Sequence, residues 1–301
     1  MCIRDSIRIG TRASKLAVWQ AKQVQALLQK INISSSIIKI KSSGDKDLSK
    51  PVYELGVTGV FTKEIDIALL NNEIDIAVHS LKDVPTILPV GVSQGAVLQR
   101  GSELDIVIHN KPLSPKENTI ATGSLRRKAQ WLNKFKTDNI VEIRGNVQTR
   151  LRKLKENNWN GTIMAKAGLE RLEILPDDYQ ELDWMIPAPA QGAISVQNLT
   201  INSSITEILK QINHVETEIC TNIERSFLNK LEGGCTAPIG AHAKIVNKSV
   251  IFRGVLLSIE GKDKIEINEV CKLEKIEVLG DKFAKKIISL GGDEILNSLK
   301  G

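Results

Sequence analysis

The stretch IRIGTRASKLAVWQAKQVQALLQKINISSSIIKIK, residues 7–41, decides the fold. Ile7 and Ile9 alternate about a polar residue, the signature of a short strand. Leu16, Trp19, Val24, Leu27 and Leu28 then recur at helical spacing, and SIIKIK (36–41) returns to a strand. Farther on, FTKEIDIALLNN (61–72) reads as a helix and IDIAVHS (74–80) as a buried strand, ending in a loop closed by Pro85. Strand and helix in regular succession imply a parallel sheet. The rhythm restarts after about residue 100, with strands at NTIAT (118–122), NIVEI (139–143) and GTIMA (161–165) and helices from Ser124 and Asn146. A second lobe of the same βαβ kind is therefore expected.

Residues 184–197 (WMIPAPAQGAISVQ) set prolines and a glycine between apolar runs, which suits a crossing back to the first lobe. From residue 215 a helix (VETEICTNIERSFLNKLE) runs to Gly233 and Gly234. Alternating strands (PIGAHAKIV, SVIFRGVLL, KIEINEVCK) and closing helices follow. The expected organisation is an N-terminal α/β lobe (1–98 with 193–214), a central α/β lobe (99–192) and a smaller α+β C-terminal domain (215–301). The polar, glycine-bearing segment 42–59 reads as a loop over a site.

With 301 residues, 42% hydrophobic and 25% charged, the chain is long enough for several cores and has the composition of a globular protein. It contains no apolar run of the roughly 18 residues that span a bilayer, and residues 1–10 lack the apolar centre of an export signal. A cytoplasmic protein with no membrane partner is expected. Cys2, Cys220, Cys235 and Cys271 form no CxxC pair and have no histidines at ligand spacing, so neither a metal site nor a disulfide framework is expected. The net charge of +6 calls for an acidic partner. Aromatics make up only 4%, which supplies a nucleic-acid stacking platform poorly, so a small polyanion fits the charge better than nucleic acid does.

Three strand-to-helix turns carry small residues and arginine: GTRAS (10–14), ATGSLRR (121–127) and IRGNVQTR (143–150). Exposed backbone N–H groups and the helix dipole make such turns anion sites, and arginine adds paired hydrogen bonds to carboxylates. Two readings stand side by side. Ser14, Ser124 and Asn146 are ordinary helix caps with solvated arginines around them, or the three turns together bind a polyanion. HSLKDVP (79–85) places Lys82 and Asp83 just past a buried strand, where a carboxylate can pass a proton to a leaving amine or serve as a plain loop cap. LEGGCTAPIG (231–240) lifts Cys235 out of a two-glycine turn, a suitable place for a covalent attachment.

HSLKDVP, the arginine pair of ATGSLRR, RGNVQTRL, PAPAQGA and ERSFLNKLEGGCTAPIGA occur in the order found in the porphobilinogen deaminase (hydroxymethylbilane synthase) family, which the chain resembles from about residue 7 to 295. The resemblance implies two βαβ lobes like those of periplasmic binding proteins and a third lobe carrying the cysteine. It also implies a transferase that joins porphobilinogen head to tail, with loss of ammonia, into a linear tetrapyrrole. Cys235 then holds a dipyrromethane cofactor through a thioether, and Asp83 is the catalytic carboxylate serving ammonia departure and the cation it leaves. Ser80, Lys82, Thr122, Ser124, Arg126, Arg127, Arg144 and Gln191 contact the cofactor, while Arg12, Ser14, Arg144 and Arg150 hold substrate carboxylates. The family likeness also implies a monomer.

The chain departs from the family pattern at Thr58, where a lysine is usual, at Gly123, where a serine is usual, and at Ser195, where a glycine is usual. Residues 1–6 have no counterpart, so Cys2 carries no argument. A non-catalytic two-lobed polyanion binder and a nucleic-acid-binding protein are the competing readings. Neither gives Cys235 a role.

Overall fold

The computed structural model describes residues 6–41, 62–114, 116–231 and 237–299. The chain divides into two compact units: residues 1–49, 57–101 and 192–218 form the first, and 50–56, 102–191 and 219–301 the second. The first begins with β1 (Ile7–Arg12), α1 (Lys15–Lys30), β2 (Ser35–Ile40), α2 (Lys63–Leu70), β3 (Ile76–Ser80), a 3-10 turn (Leu81–Asp83) and β4 (Val92–Val97). The second continues with β5 (Asp105–His109), β6 (Thr119–Ala121), α3 (Leu125–Lys134), β7 (Asn139–Val141), α4 (Val147–Glu156), β8 (Gly161–Ala165), α5 (Lys166–Glu170) and β9 (Tyr179–Glu181). β10 (Ile194–Leu199) and α6 (Ser203–Lys210) return to the first unit. The chain then runs through α7 (Val215–Lys230), β11 (Ile239–Val246), β12 (Ser249–Leu257), β13 (Lys264–Lys272), α8 (Leu279–Ile287) and α9 (Asp293–Ser298).

The first sheet has the order β2-β1-β3-β10-β4, and the sheet of the second unit has the order β7-β6-β8-β5-β9. Both are wound alike. In each, one strand (β1 or β6) pairs in parallel with the next two in its unit (β2 and β3, or β7 and β8), and an antiparallel strand (β10 or β5) pairs with the latter of these. In the first unit one sheet face buries Ile7, Ile9, Ile76, Val78 and Val196 against Val24 and Leu28 of α1. The other face buries Ala77 and Ile74 against Ile65, Ala68 and Leu69 of α2. A leucine buried in this way contributes about 1.5–3 kcal/mol, so a helix on each face fixes the register of the sheet between them.

In the second unit, Val107, Ile120 and Ile163 pack with Trp131 of α3, and Ile106, Ile108 and Met164 with Leu154 of α4. The C-terminal strands form a separate antiparallel meander, β11-β12-β13. Phe227, Phe252 and Phe283 form its centre, with ring centroids 5.1 and 4.4 Å apart. The architecture is thus two βαβ-wound sheets and a small α+β domain, as expected. The segment 42–59 and the two-glycine turn with Cys235 lie outside the described residues.

Candidate functional site

At the carboxyl ends of β1 and β3 the first unit opens a cleft of about 70 Å³, lined among others by Arg12, Ser14, Gln20, His79, Ser80 and Asp83. Ligand sites of open α/β sheets lie at such strand ends. The β1–α1 turn is built by two side chains: Thr11 Oγ1 donates to the carbonyl of Ala17 at 3.0 Å, and Ser14 Oγ accepts from the Ala17 N–H at 3.3 Å. Ser14 is therefore the cap of α1, and the cap leaves Arg12 at the cleft. Lys82 and Asp83, both half-buried, sit in the 3-10 turn that follows β3. The N–H of Leu81 donates to the carbonyl of Ala193 at 3.0 Å, which ties this turn to the chain entering β10.

Gln20 of this cleft escaped the motif reading, whereas His79 opens HSLKDVP and reads there as a structural histidine. Gln20 is 2% exposed and donates through Nε2 to Ser80 Oγ at 2.8 Å. Its signal was present in the sequence: a lone amide on the apolar face of α1, between Ala17 and Val24. His79 is also buried, and burial together with the Arg12 charge lowers its pKa from 6.5 to about 4. It is neutral at physiological pH.

Other singled-out residues gather in the second unit. Ser124 caps α3, its Oγ accepting from the Arg127 N–H at 3.4 Å, and Thr122 Oγ1 accepts from the Ser124 N–H at 3.3 Å. Arg126 and Arg127 are not solvated: they are 5% and 6% exposed. Both converge on Asp105, which is fully buried. Arg126 Nη1 lies 2.6 Å from Oδ2, and Arg127 Nε and Nη2 lie 2.9 and 2.7 Å from Oδ1. Gln191 Nε2 also donates to Asp105 Oδ1, at 3.0 Å, and to the Glu103 carbonyl at 2.7 Å. Burial opposes ionisation of Asp105, yet the two guanidiniums and the Gln191 amide hold its carboxyl well below the usual range.

Asp105 is thus the hub of this cluster, and the motif reading missed it. It opens the apolar run DIVIH, and an acid at the mouth of a buried strand is the sequence signal. Two guanidiniums facing one carboxylate leave surplus positive charge on buried groups, an arrangement suited to an anionic ligand.

Arg144 lies half-buried between β7 and the cap of α4, where Asn146 Oδ1 accepts from the Thr149 N–H at 2.9 Å. Gly145 has φ +115°, and a Cβ there would stand 2.6 Å from Thr149 Cγ2, so the turn requires glycine. Arg150 Nε reaches back to the Gly145 carbonyl at 2.8 Å. Gly123 brings two of the three arginine turns together. A Cβ there would stand 2.6 Å from the Ile143 carbonyl oxygen, so the missing side chain is what lets ATGS lie against IRGN. Ser14, Ser124 and Asn146 all cap their helices, but the solvated arginines of the plain capping reading are not found at α3, where Arg126 and Arg127 are buried. Cys235 lies outside the described residues. A larger cleft of about 670 Å³, lined by Lys128, Lys136, Glu260 and Lys262 among others, contains none of the singled-out residues.

Fold and site together define a βαβ-wound protein with two basic, hydroxyl-bearing clusters, one beside a strand-end carboxylate. Comparison with known proteins is specific. Residues 7–207 match the model described as "Porphobilinogen deaminase, dipyromethane cofactor binding domain", and residues 218–289 match "Porphobilinogen deaminase, C-terminal domain". A porphobilinogen deaminase of Syntrophomonas wolfei is 39% identical, covering 97% of this chain and 98% of its own. A probable porphobilinogen deaminase of Methanocaldococcus jannaschii is 42% identical, covering 93% and 99%. The L-cystine solute receptor of Neisseria gonorrhoeae is similar at 14% identity and TM-score 0.41, covering 71% of this chain and 87% of its own. The chain belongs to the porphobilinogen deaminase family.

Proposed function

We propose that the protein is a transferase of tetrapyrrole biosynthesis, which joins porphobilinogen units head to tail, releases ammonia at each step and yields hydroxymethylbilane. The observation that carries this reading is Asp83, held at the end of β3 in a cleft that also presents Arg12 and Ser14. The substrate is a pyrrole with two carboxylate arms and an aminomethyl arm. Arg12 and Ser14 hold its carboxylates, with Arg144 and Arg150 serving the same role. Asp83 attends the departing amine, passing it a proton and offering negative charge to the cation left behind. Lys82 suits a carboxylate arm, since its ammonium would repel that cation.

The residues fit a dipyrromethane cofactor: buried arginines with surplus positive charge and two hydroxyls suit a group with several carboxylates. Cys235 would hold it through a thioether, and Ser80, Lys82, Thr122, Ser124, Arg126, Arg127, Arg144 and Gln191 would contact its side arms. When bound, it supplies the pyrrole end to which the first unit is joined. Asp105 and Gln191 keep the guanidiniums of Arg126 and Arg127 oriented before any ligand arrives.

The same reading places the protein in the cytoplasm as a monomer acting on a small molecule rather than on nucleic acid. Among the described residues no helix is long and apolar enough to cross a membrane. We also propose three domains, 1–98 with 193–214, 99–192 and 215–301.

The intact mass of the purified protein should exceed the sequence mass by one dipyrromethane, and Cys235→Ser should remove the increment and almost all porphobilinogen consumption. An unmodified wild-type protein that consumes no porphobilinogen would overturn the reading. Asp83→Asn should keep the increment and the fold while losing about 10²–10⁴-fold in kcat, and Asp83→Glu should retain slow turnover. Near wild-type turnover of the Asn variant would move the role to another carboxylate.

A further inference from the structure

The face of the first sheet beneath α2 carries three polar atoms that the protein leaves without partners. His79 Nε2, Ser195 Oγ and Gln197 Oε1 are buried with no hydrogen bond. Their residues are 5%, 0% and 1% exposed. Register makes them neighbours: on the antiparallel pair β3–β10, Ser195 stands directly opposite His79, and Gln197 opposite Ala77. Alternate residues of a strand share a face, and Ala77 on that face packs among the apolar residues of α2. Directly opposed side chains have Cβ atoms about 4.5–5.5 Å apart, and the diagonal pair His79–Gln197 is within reach of long side chains.

An unpaired buried polar group costs about 1–3 kcal/mol, so three of them side by side call for a shared partner. One water molecule answers all three. It donates to the Gln197 carbonyl, which can only accept, and to His79 Nε2 in the Nδ1–H tautomer, and it accepts from the Ser195 hydroxyl. Three hydrogen bonds is the usual number for a buried water. Charged groups on this side of the sheet come from both flanking elements: Arg12 ends β1, and α2 carries Glu64 and the buried Asp66 in its first turn. Arg12 disfavours a proton on His79, which agrees with a neutral ring.

We propose that His79, Ser195 and Gln197 bind one structural water, and that this water makes His79 a positioning residue, locking its neutral ring as a wall of the Arg12–Asp83 cleft. Ser195 stands where the pattern this chain resembles usually has glycine, and its hydroxyl is what completes the polar trio with His79 and Gln197. A fixed ring at His79 shapes the cleft that Arg12 and Ser14 also line, where the substrate carboxylate is proposed to sit. The effect therefore belongs to substrate binding more than to the chemical step.

A high-resolution crystal structure of the holoenzyme should show the water within hydrogen-bond distance of all three atoms. A dry contact, with Ser195 bonded directly to His79, would overturn the proposal. In holoenzyme carrying ¹⁵N-histidine, one of the four histidines, assigned through His79→Gln, should show the Nδ1–H tautomer. Ser195→Ala should move its Nε2 resonance, with Ser195→Gly as the second variant if the first fails to fold. An Nε2–H tautomer, or a resonance indifferent to the change at Ser195, refutes the idea. The kinetic arm rests on the proposed function, whereas the crystallographic and NMR arms do not. Ser195→Ala should raise KM for porphobilinogen about two- to tenfold with kcat little changed, and a fall in kcat alone counts against positioning through binding.

Discussion

Removing the carboxylate of Asp105 leaves two buried guanidiniums facing each other with no counter-charge. Breaking a buried ion pair from one side costs about 3–5 kcal/mol, so Asp105→Ala should lower the urea midpoint steeply, whereas an exposed aspartate such as Asp263 changed to alanine should barely move it. The pH dependence has a definite sign. The Asp105 carboxyl is held below its unfolded value of about 3.9, so its contribution is complete above that pH and is lost as the pH falls toward the native value. His79 acts over a higher window. Its native pKa is about 4 against 6.5 for the free side chain. Between those values the unfolded chain gains a proton that the native protein refuses, and stability falls with pH by about 3 kcal/mol in total. Unfolding measured at pH 7.5 and pH 5 should show the loss in wild type and a smaller one in His79→Gln. Equal losses would mean that other groups titrate there.

Among elements, the turn from β6 into α3 carries the sharpest steric demand. Restoring at Gly123 the serine usual in the family would press a Cβ against the Ile143 carbonyl, and overpacking of that kind costs about 1–3 kcal/mol. Gly123→Ser should therefore lower the melting temperature, and a neutral result would mean that the Ile143–Gly145 segment shifts freely. Removing the α3 cap with Ser124→Ala should cost about 1 kcal/mol more through the unpaired Arg127 N–H. The elements most easily read in the sequence are those with a clear period: α1 and α7 through their apolar spacing, β11 to β13 through alternation. β4 and β5 were not read. β5 is five residues with both faces covered, so it shows no alternation, and β4 carries Gly95 in a polar-looking SQG. The cleft residues announced themselves by motif, but Asp105, Gln20 and Gln197 did not. Their roles depend on partners far away in sequence, such as Arg126, Ser80 and His79, and no local pattern encodes those pairings.

For the molecule as a whole, the position of β10 matters most. It is the only described strand that pairs with β4, and it is also the neighbour of β3, reached across a sequence separation that spans the entire second sheet. A fragment of residues 1–101 should therefore fail to form a stable first unit, with a circular dichroism spectrum and proteolysis pattern unlike those of the same segment in the full chain. A cooperatively folded fragment would show β4 to be dispensable. The β10 entry also anchors the turn that bears Asp83, through the Leu81–Ala193 hydrogen bond, and it ends at residue 199 of 301. A ribosome must accordingly add more than a hundred residues beyond Asp83 before the carboxylate proposed to act on porphobilinogen has its seat, so a nascent chain that stops short of β10 carries that turn without its anchor.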